Sequence, residues 1–238
     1  MVKIDPAWKI TTSLPSRHIE EVLTYSPAYY LKRLEKIGFT GKNSRILDAG
    51  CGAGIFTVAA SRLNKQVKAI DATDKYLAVA KEITAKLKLK NIELRQGKIE
   101  SLPYPDNYFD FIICYDVWMY TNRLKSLQEM FRVLKPGGKI YLGLIAGLGW
   151  YLDLIWQGIR DGKPNLIRIS LKAIKDKVFT PLKETEELLQ KTGFKLLEQG
   201  ADGQAGDKKI KITPIFPDKK FGFWDTYEVL AEKKERTR

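Results

Sequence analysis

Residues 46–56 read ILDAGCGAGIF, with Gly50, Gly52 and Gly54 at alternate positions straight after an apolar run. Glycine inside an element costs roughly 0.5–1 kcal/mol relative to alanine. Three so close together mark a backbone that turns sharply or approaches something closely. A turn of this kind between a strand and a helix offers backbone N–H groups and a helix N-terminus to a ligand. Asp71 follows 17 residues after Gly54, at the end of the next apolar run. A carboxylate there accepts hydrogen bonds from both hydroxyls of a ribose, on the order of 1.5–3 kcal/mol each. The combination implies an adenosine-bearing cofactor.

Two such cofactors compete, a nicotinamide dinucleotide and S-adenosylmethionine. The dinucleotide fingerprint is G-x-G-x-x-G, whereas the spacing here is G-x-G-x-G, with Ile55 at the third fingerprint position. Asp48 stands two residues before the first glycine. Beside a pyrophosphate it would add like charge; it suits an ammonium and a sulfonium, directly or by bracing the loop. The spacing favours S-adenosylmethionine and leaves an NAD-dependent oxidoreductase as an alternative.

The elements that must position these residues follow from hydrophobic periodicity. Strands are expected at 45–49, 66–71, 91–96, 109–115, 138–144, 194–200 and 226–232, and helices at 55–63, 74–88, 121–133 and 182–191. Asp74 is the expected N-cap of the second of these helices. Alternation of this kind implies a parallel sheet with both faces covered, and the apolar run FDFIICY fits a buried central strand. One domain is expected over 1–238. It comprises an N-terminal helical cap (1–43) with a helix interrupted at Pro27, a cofactor-binding core (44–145), a helical lid insertion (146–180) and the rest of the sheet (181–238).

The segment RILDAGCGAGIFT resembles the first motif of class I S-adenosylmethionine-dependent methyltransferases. AIDATDKYLAVAKE (69–82), QGKIESLPYPDNYFDFIICYDVWMY (96–120) and RVLKPGGKIYLGL (132–144) resemble its later motifs, in the same order and spacing. They cover about residues 44–144 and are most similar to the type 11 subgroup. The resemblance implies a Rossmann-like, doubly wound α/β sheet of seven strands in the order 3-2-1-4-5-7-6, the last strand antiparallel. It also implies a cofactor site at Asp48, Gly50, Cys51, Gly52, Gly54, Asp71, Ala72, Lys98, Ile99 and Tyr115. One departure stands out: the family commonly carries an acid where this chain has Lys98, and a lysine cannot accept a hydrogen bond from the adenine amino group. The backbone of Ile99 and the side chain of Glu100 are the replacements available.

Methyl transfer is an in-line displacement at a carbon activated by positive sulfur, so the protein mainly supplies placement. A base is needed only where the acceptor must lose a proton. The resemblance puts the end of the fourth strand opposite the methyl group, which makes Asp116 and Tyr120 candidate acceptor contacts. His18, the sole histidine, is a further candidate base. Tyr25, Tyr29, Tyr30 and Arg33 are candidates for closing the pocket or meeting the cofactor carboxylate. Trp118 and Met119 read as ordinary packing. No Asn/Asp-Pro-Pro-aromatic stretch and no Pro-Cys pair is present, which argues against base-directed chemistry on nucleic acid.

In the lid, GLGWYLDLIWQGI is apolar nearly all round, implying burial or a greasy pocket wall. NLIRISLKAIKDKVF places Ile167, Leu171, Ile174 and Val178 on one face and basic residues mostly on the others. Trp150, Tyr151 and Trp156 suit a ring-bearing acceptor or plain core. The formal net charge is +13, but the basic residues are interleaved with acids, as on a solvated surface. Two cysteines and one histidine give neither a disulfide framework nor a metal site, and no leader or spanning segment is expected. The expectation is a cytoplasmic methyltransferase acting on a small organic acceptor, apolar or aromatic by composition of the lid. The alternatives are a lipid-like, quinone-like or RNA acceptor reached through a membrane-surface or RNA contact, and a cofactor-binding protein without turnover.

Overall fold

The computed structural model describes residues 26–215 and 219–234. Seven strands form one sheet in the order β3-β2-β1-β4-β5-β9-β6. They are β1 (Gly41–Ala49), β2 (Asn64–Asp71), β3 (Ile92–Gln96), β4 (Phe109–Tyr115), β5 (Leu134–Ala146), β6 (Phe194–Ala201) and β9 (Thr226–Lys233). Strands β1 to β5 run parallel, and β9 inserts antiparallel between β5 and β6. This is the topology expected from the sequence, with β9 as the seventh strand of the sheet. The short strands β7 (Lys219–Lys220) and β8 (Phe223–Trp224) form a separate hairpin.

The helices are α1 (Pro27–Lys36), α2 (Ile55–Leu63), α3 (Asp74–Lys86), α4 (Arg123–Val133), α5 (Leu148–Arg160), α6 (Pro164–Lys175) and α7 (Leu182–Thr192). Pro27 does not interrupt a helix among the described residues but opens one. It occupies the first turn, where its missing N–H costs nothing. The N-cap of α3 is Thr73, not Asp74, which instead places its charge in the positive first turn. The strands bury two cores, one on each face. Ile46, Val67 and Ile113 contribute to the first, and Leu47, Ile70 and Ile112 to the second. Successive residues of β1 and β4 thus feed opposite faces, as a doubly covered sheet requires.

Helix α1 is fixed by a buried charge cluster. Arg33 is 1% exposed. Its Nη2 donates to Asp202 and, over 2.9 Å, to Glu228, while Nε donates to the Tyr141 hydroxyl at 3.0 Å and Nη1 to that of Tyr29 at 2.9 Å. Glu228 also accepts from the Tyr141 hydroxyl and the Ala205 N–H, and Asp202 from the Ile215 N–H. The cluster therefore ties α1 to β5, β9 and the segment after β6. Removing one partner from such a buried set leaves uncompensated charge, at a cost of about 3–5 kcal/mol. Arg33→Leu is accordingly expected to lose that much stability in urea unfolding, and more than Arg33→Lys, which keeps the charge.

Candidate functional site

The carboxyl ends of β1, β2 and β4 open on a cavity of about 570 Å³, within the usual range for small-molecule sites. It lies where strand order reverses between β1 and β4, the expected crevice of an open α/β sheet. Asp48, Gly50, Cys51, Gly52, Asp71, Ala72, Lys98, Ile99, Tyr115, Asp116 and Tyr120 all line it. Gly54 does not line it and instead is the left-handed N-cap of α2, at φ +84°. A Cβ there would press on Ala80 in α3.

The turn departs from expectation in how its amides are used. The N–H groups of Gly50 and Cys51 both donate to the Ile70 carbonyl, at 2.8 and 3.0 Å, and that of Gly54 to the Cys51 carbonyl at 2.8 Å. The Gly52 N–H donates to Asp71 Oδ2 at 2.9 Å, while Asp71 Oδ1 accepts from the Thr73 N–H at 2.8 Å. These amides therefore shape the loop instead of facing the cavity. Asp71 joins the glycine turn to the start of α3, and each of its oxygens keeps a lone pair for a further donor. Glycine is required sterically at position 50, where φ is +81° and a Cβ would collide with Val117. At Gly52, with φ +50°, a Cβ would meet nothing within 4 Å, so that glycine serves backbone conformation.

Asp48, 2% exposed, accepts from the Thr57 hydroxyl in α2 at 2.6 Å. Loss of water pushes its carboxyl up to about 7, the Thr57 hydrogen bond opposes this, and Asp71 adds to it. Burial likewise raises the Cys51 thiol well above its ordinary range, so the side chain is a neutral wall and not a nucleophile. Asp116 follows β4 with φ +57°, its N–H held by the Gly143 carbonyl at 2.9 Å. This left-handed conformation, uncommon outside glycine, aims the chain away from the sheet toward the 3₁₀ turn Trp118–Tyr120. Trp118 and Met119 are buried packing residues there. The Tyr120 ring is exposed, while its hydroxyl end faces Tyr151 of α5. Loss of water around that hydroxyl and then Asp116 raise its phenol, which keeps it protonated at neutral pH.

Other expectations are corrected. Arg33 is committed to the buried cluster, and Tyr29 and Tyr30 do not line the cavity. Tyr29 donates to the Thr213 carbonyl, and Tyr30 packs edge-on against Phe56. His18 and Tyr25 lie outside the described residues. Glu100 lines the cavity, but Oε1 accepts from the Asn122 N–H at 3.0 Å. Lining residues that motif reading missed include Phe56, Thr73, Tyr76 and Val117. Tyr76, in the first turn after Asp71, is the one that position alone could have suggested.

The cavity's charge tests which cofactor fits. Among the described residues, Asp48, Asp71, Glu100 and Asp116 face it against one cation, Lys98, in a chain of net charge +13. An acidic lining suits a ligand with an ammonium and a sulfonium and opposes a pyrophosphate. Tyr115 lines the cavity, and its buried hydroxyl has no hydrogen-bond partner among the described residues, while the acid at the end of β2 keeps accepting capacity. The residues fit S-adenosylmethionine.

Fold and site together define an open, Rossmann-like α/β domain with a ligand crevice where the strand order reverses. Residues 47–142 match the family model described as a methyltransferase domain. Over 99 residues the chain is 36% identical to the uncharacterized methyltransferase YcgJ of Bacillus subtilis, covering 41% of this chain and 39% of that protein. Over 107 residues it is 39% identical to the ubiquinone/menaquinone biosynthesis C-methyltransferase UbiE of Proteus mirabilis, covering 42% and 41%. The match with these curated relatives thus spans about two-fifths of their length. Among solved structures, YcgJ of Bacillus subtilis superposes with a TM-score of 0.61 at 20% identity, over 87% of this chain and 99% of that one. The [4+2]-cyclase SpnF gives 0.61 at 16% identity, over 96% and 86%. These likenesses establish the fold. The second also illustrates that the fold alone does not fix a reaction.

The Asp48 carboxyl sets a pH dependence. Its ordinary value is 3.8 and its folded value about 7, so folding takes up a proton between these limits. Stability from this group is therefore lost as pH rises through that window. Asp48→Asn is expected to gain stability over the wild type on going from about pH 4.5 to about pH 8, by as much as ~3 kcal/mol. Urea midpoints at the two pH values measure it.

Proposed function

We propose that the chain transfers the methyl group of S-adenosylmethionine to a small, apolar or aromatic acceptor admitted between Tyr120 and the lid. The acidic cavity inside a basic protein is the observation that carries this reading. Asp71 would hold the ribose hydroxyls, with Ala72 beside the adenine, and Ile99 would offer its backbone to the ring that Lys98 cannot serve. Asp48, Gly50, Cys51 and Gly52 would form the wall against the amino-acid end, and Tyr115 would give its unpartnered hydroxyl to that end. When bound, the cofactor supplies a methyl carbon already activated by positive sulfur, so no covalent intermediate on the protein is required.

At the acceptor end, Asp116 and Tyr120 differ in what they can do. The raised phenol of Tyr120 makes it a hydrogen-bond donor that orients an acceptor oxygen or ring. Asp116 is the group able to receive a proton if the acceptor must lose one. Tyr151, buried on α5 beside Tyr120, would close this end from the lid side. A quinone-like acceptor is the second reading, favoured by the relatives whose names state ubiquinone/menaquinone biosynthesis C-methyltransferase or demethylmenaquinone methyltransferase.

Transfer of labelled methyl from S-adenosylmethionine to hydroxylated aromatic and quinol acceptors tests the assignment. Asp116→Asn is expected to lower kcat by about 10²–10⁴ on an acceptor that must lose a proton, with cofactor affinity kept. Tyr120→Phe should mainly raise the acceptor KM. Unchanged kinetics in both variants on an acceptor that the wild type methylates would remove these residues from the acceptor site.

A further inference from the structure

The lid helices carry an exposed surface that the cavity does not use. Among the described residues, the exposed large hydrophobic side chains are Tyr120 at the cavity mouth, then Trp156, Ile159, Ile169, Leu171, Phe221 and Phe223. All but Tyr120 belong to α5, α6 or the β7–β8 hairpin. That hairpin abuts the start of α5, where a Cβ on Gly149 would strike the carbonyls of Phe223 and Trp224. Single exposed apolar residues need no explanation, but a concentration of them on neighbouring elements does.

Charge accompanies this apolar surface. Residues 147–180 hold six basic side chains, Arg160, Lys163, Arg168, Lys172, Lys175 and Lys177, against Asp153, Asp161 and Asp176, a net of +3. Arg168, Lys172 and Lys175 stand at i, i+4 and i+7 along α6, all exposed, and so form one row. Ile169 and Leu171 flank the packed face centred on buried Ser170. On α5, Leu152, Trp156 and Ile159 make an apolar stripe at the same spacing, the last two more than half exposed. A second copy of the chain would bring two such basic rows together. Nucleic acid would answer the charge but leave Ile159, Ile169 and Leu171 in water.

We infer that α5, α6 and the β7–β8 hairpin form a docking surface for an anionic lipid bilayer, with the apolar side chains entering the headgroup boundary and the basic row meeting the phosphates. This is the pattern of an interfacial helix: apolar residues including Trp and Phe, with Lys and Arg beside them. The lid is pinned for this at its base. The Thr180 N–H donates to the Ala146 carbonyl, the Gly147 N–H to the Asp225 carbonyl, and Arg123 reaches both Glu184 and the Lys177 carbonyl. The helix that turns Trp156 outward turns Tyr151 inward to Tyr120, so a docked lid puts the cavity mouth next to the bilayer. Docking rests on the surface alone; arrival of an apolar acceptor from the bilayer rests also on the function proposed above.

Sedimentation of the full chain with vesicles tests this, using phosphatidylcholine alone and a two-to-one mixture of phosphatidylcholine with phosphatidylglycerol. Binding is expected to the mixed vesicles, weakened by salt, and much less to neutral ones. Lys172→Gln with Lys175→Gln is expected to weaken partitioning roughly 25-fold, about fivefold per charge. Trp156→Ser with Ile159→Ser should abolish it, and stabilisation by S-adenosylhomocysteine should be unchanged in both double variants. Absence of binding to the mixed vesicles would overturn the inference. So would self-association that the Trp156 variant abolishes while vesicles leave the wild type in solution, or RNA binding stronger than vesicle binding. Vesicle binding without methyl transfer would leave docking intact and strike only the function proposed above.

Discussion

The site depends on one carboxylate at the end of a buried strand. Asp71 holds the Gly52 amide with one oxygen and the Thr73 amide with the other, so the glycine turn and the start of α3 share a single anchor. Ile70 completes it by taking the Gly50 and Cys51 amides on its carbonyl. The positive φ values at Gly50, Gly52 and Gly54 follow from these bonds, because no chain with side chains there could bend into them at low cost. The cavity is what remains once this turn is closed.

Holding such acids out of water has a cost, and the fold offsets it locally. Asp48 meets the Thr57 hydroxyl and is still pushed up to about 7 by burial. A cationic ligand would relieve that penalty, which is why an unfavourable charge can persist in a stable core. On the other side of the wall, Arg33 pairs with both Asp202 and Glu228, and its guanidinium lies 5.4 Å from the centre of the Tyr115 ring. The cluster behind the cavity thus sets one cation against two acids, whose carboxylates also accept from the Tyr141 hydroxyl and the Ala205 and Ile215 amides.

Much of this was legible in the sequence because it is local. FDFIICY is a strand over those same residues, and the glycine spacing, Asp48 and Asp71 lie within 24 residues of one another. The Arg33 cluster was not legible. Its partners are 169 and 195 residues away, and periodicity reports only neighbours along an element. The destination of the turn's amides was hidden for a similar reason, since the register of β1 against β2 sets it. The sequence pattern puts Leu171 on one apolar face with Ile167 and Ile174, yet Leu171 is more than half exposed while those two are half-buried. Helix α6 approaches α5 closely at Gly158, where a Cβ would meet Ile167, and its fully buried residue is Ser170. Thr73 and Asp74 are both competent caps, so one residue of ambiguity was unavoidable.

The central claim is that the acidic cavity binds S-adenosylmethionine through the Asp71-anchored turn. The most direct measurement is thermal unfolding of wild type and Asp71→Ala with S-adenosylhomocysteine or NAD. At a hundred times Kd, S-adenosylhomocysteine should stabilise the wild type by about 2.7 kcal/mol, a rise of several degrees for a chain of this length. It should leave Asp71→Ala unmoved, and NAD should move neither protein. Equal stabilisation of both proteins by S-adenosylhomocysteine, or a larger shift with NAD, would contradict the account.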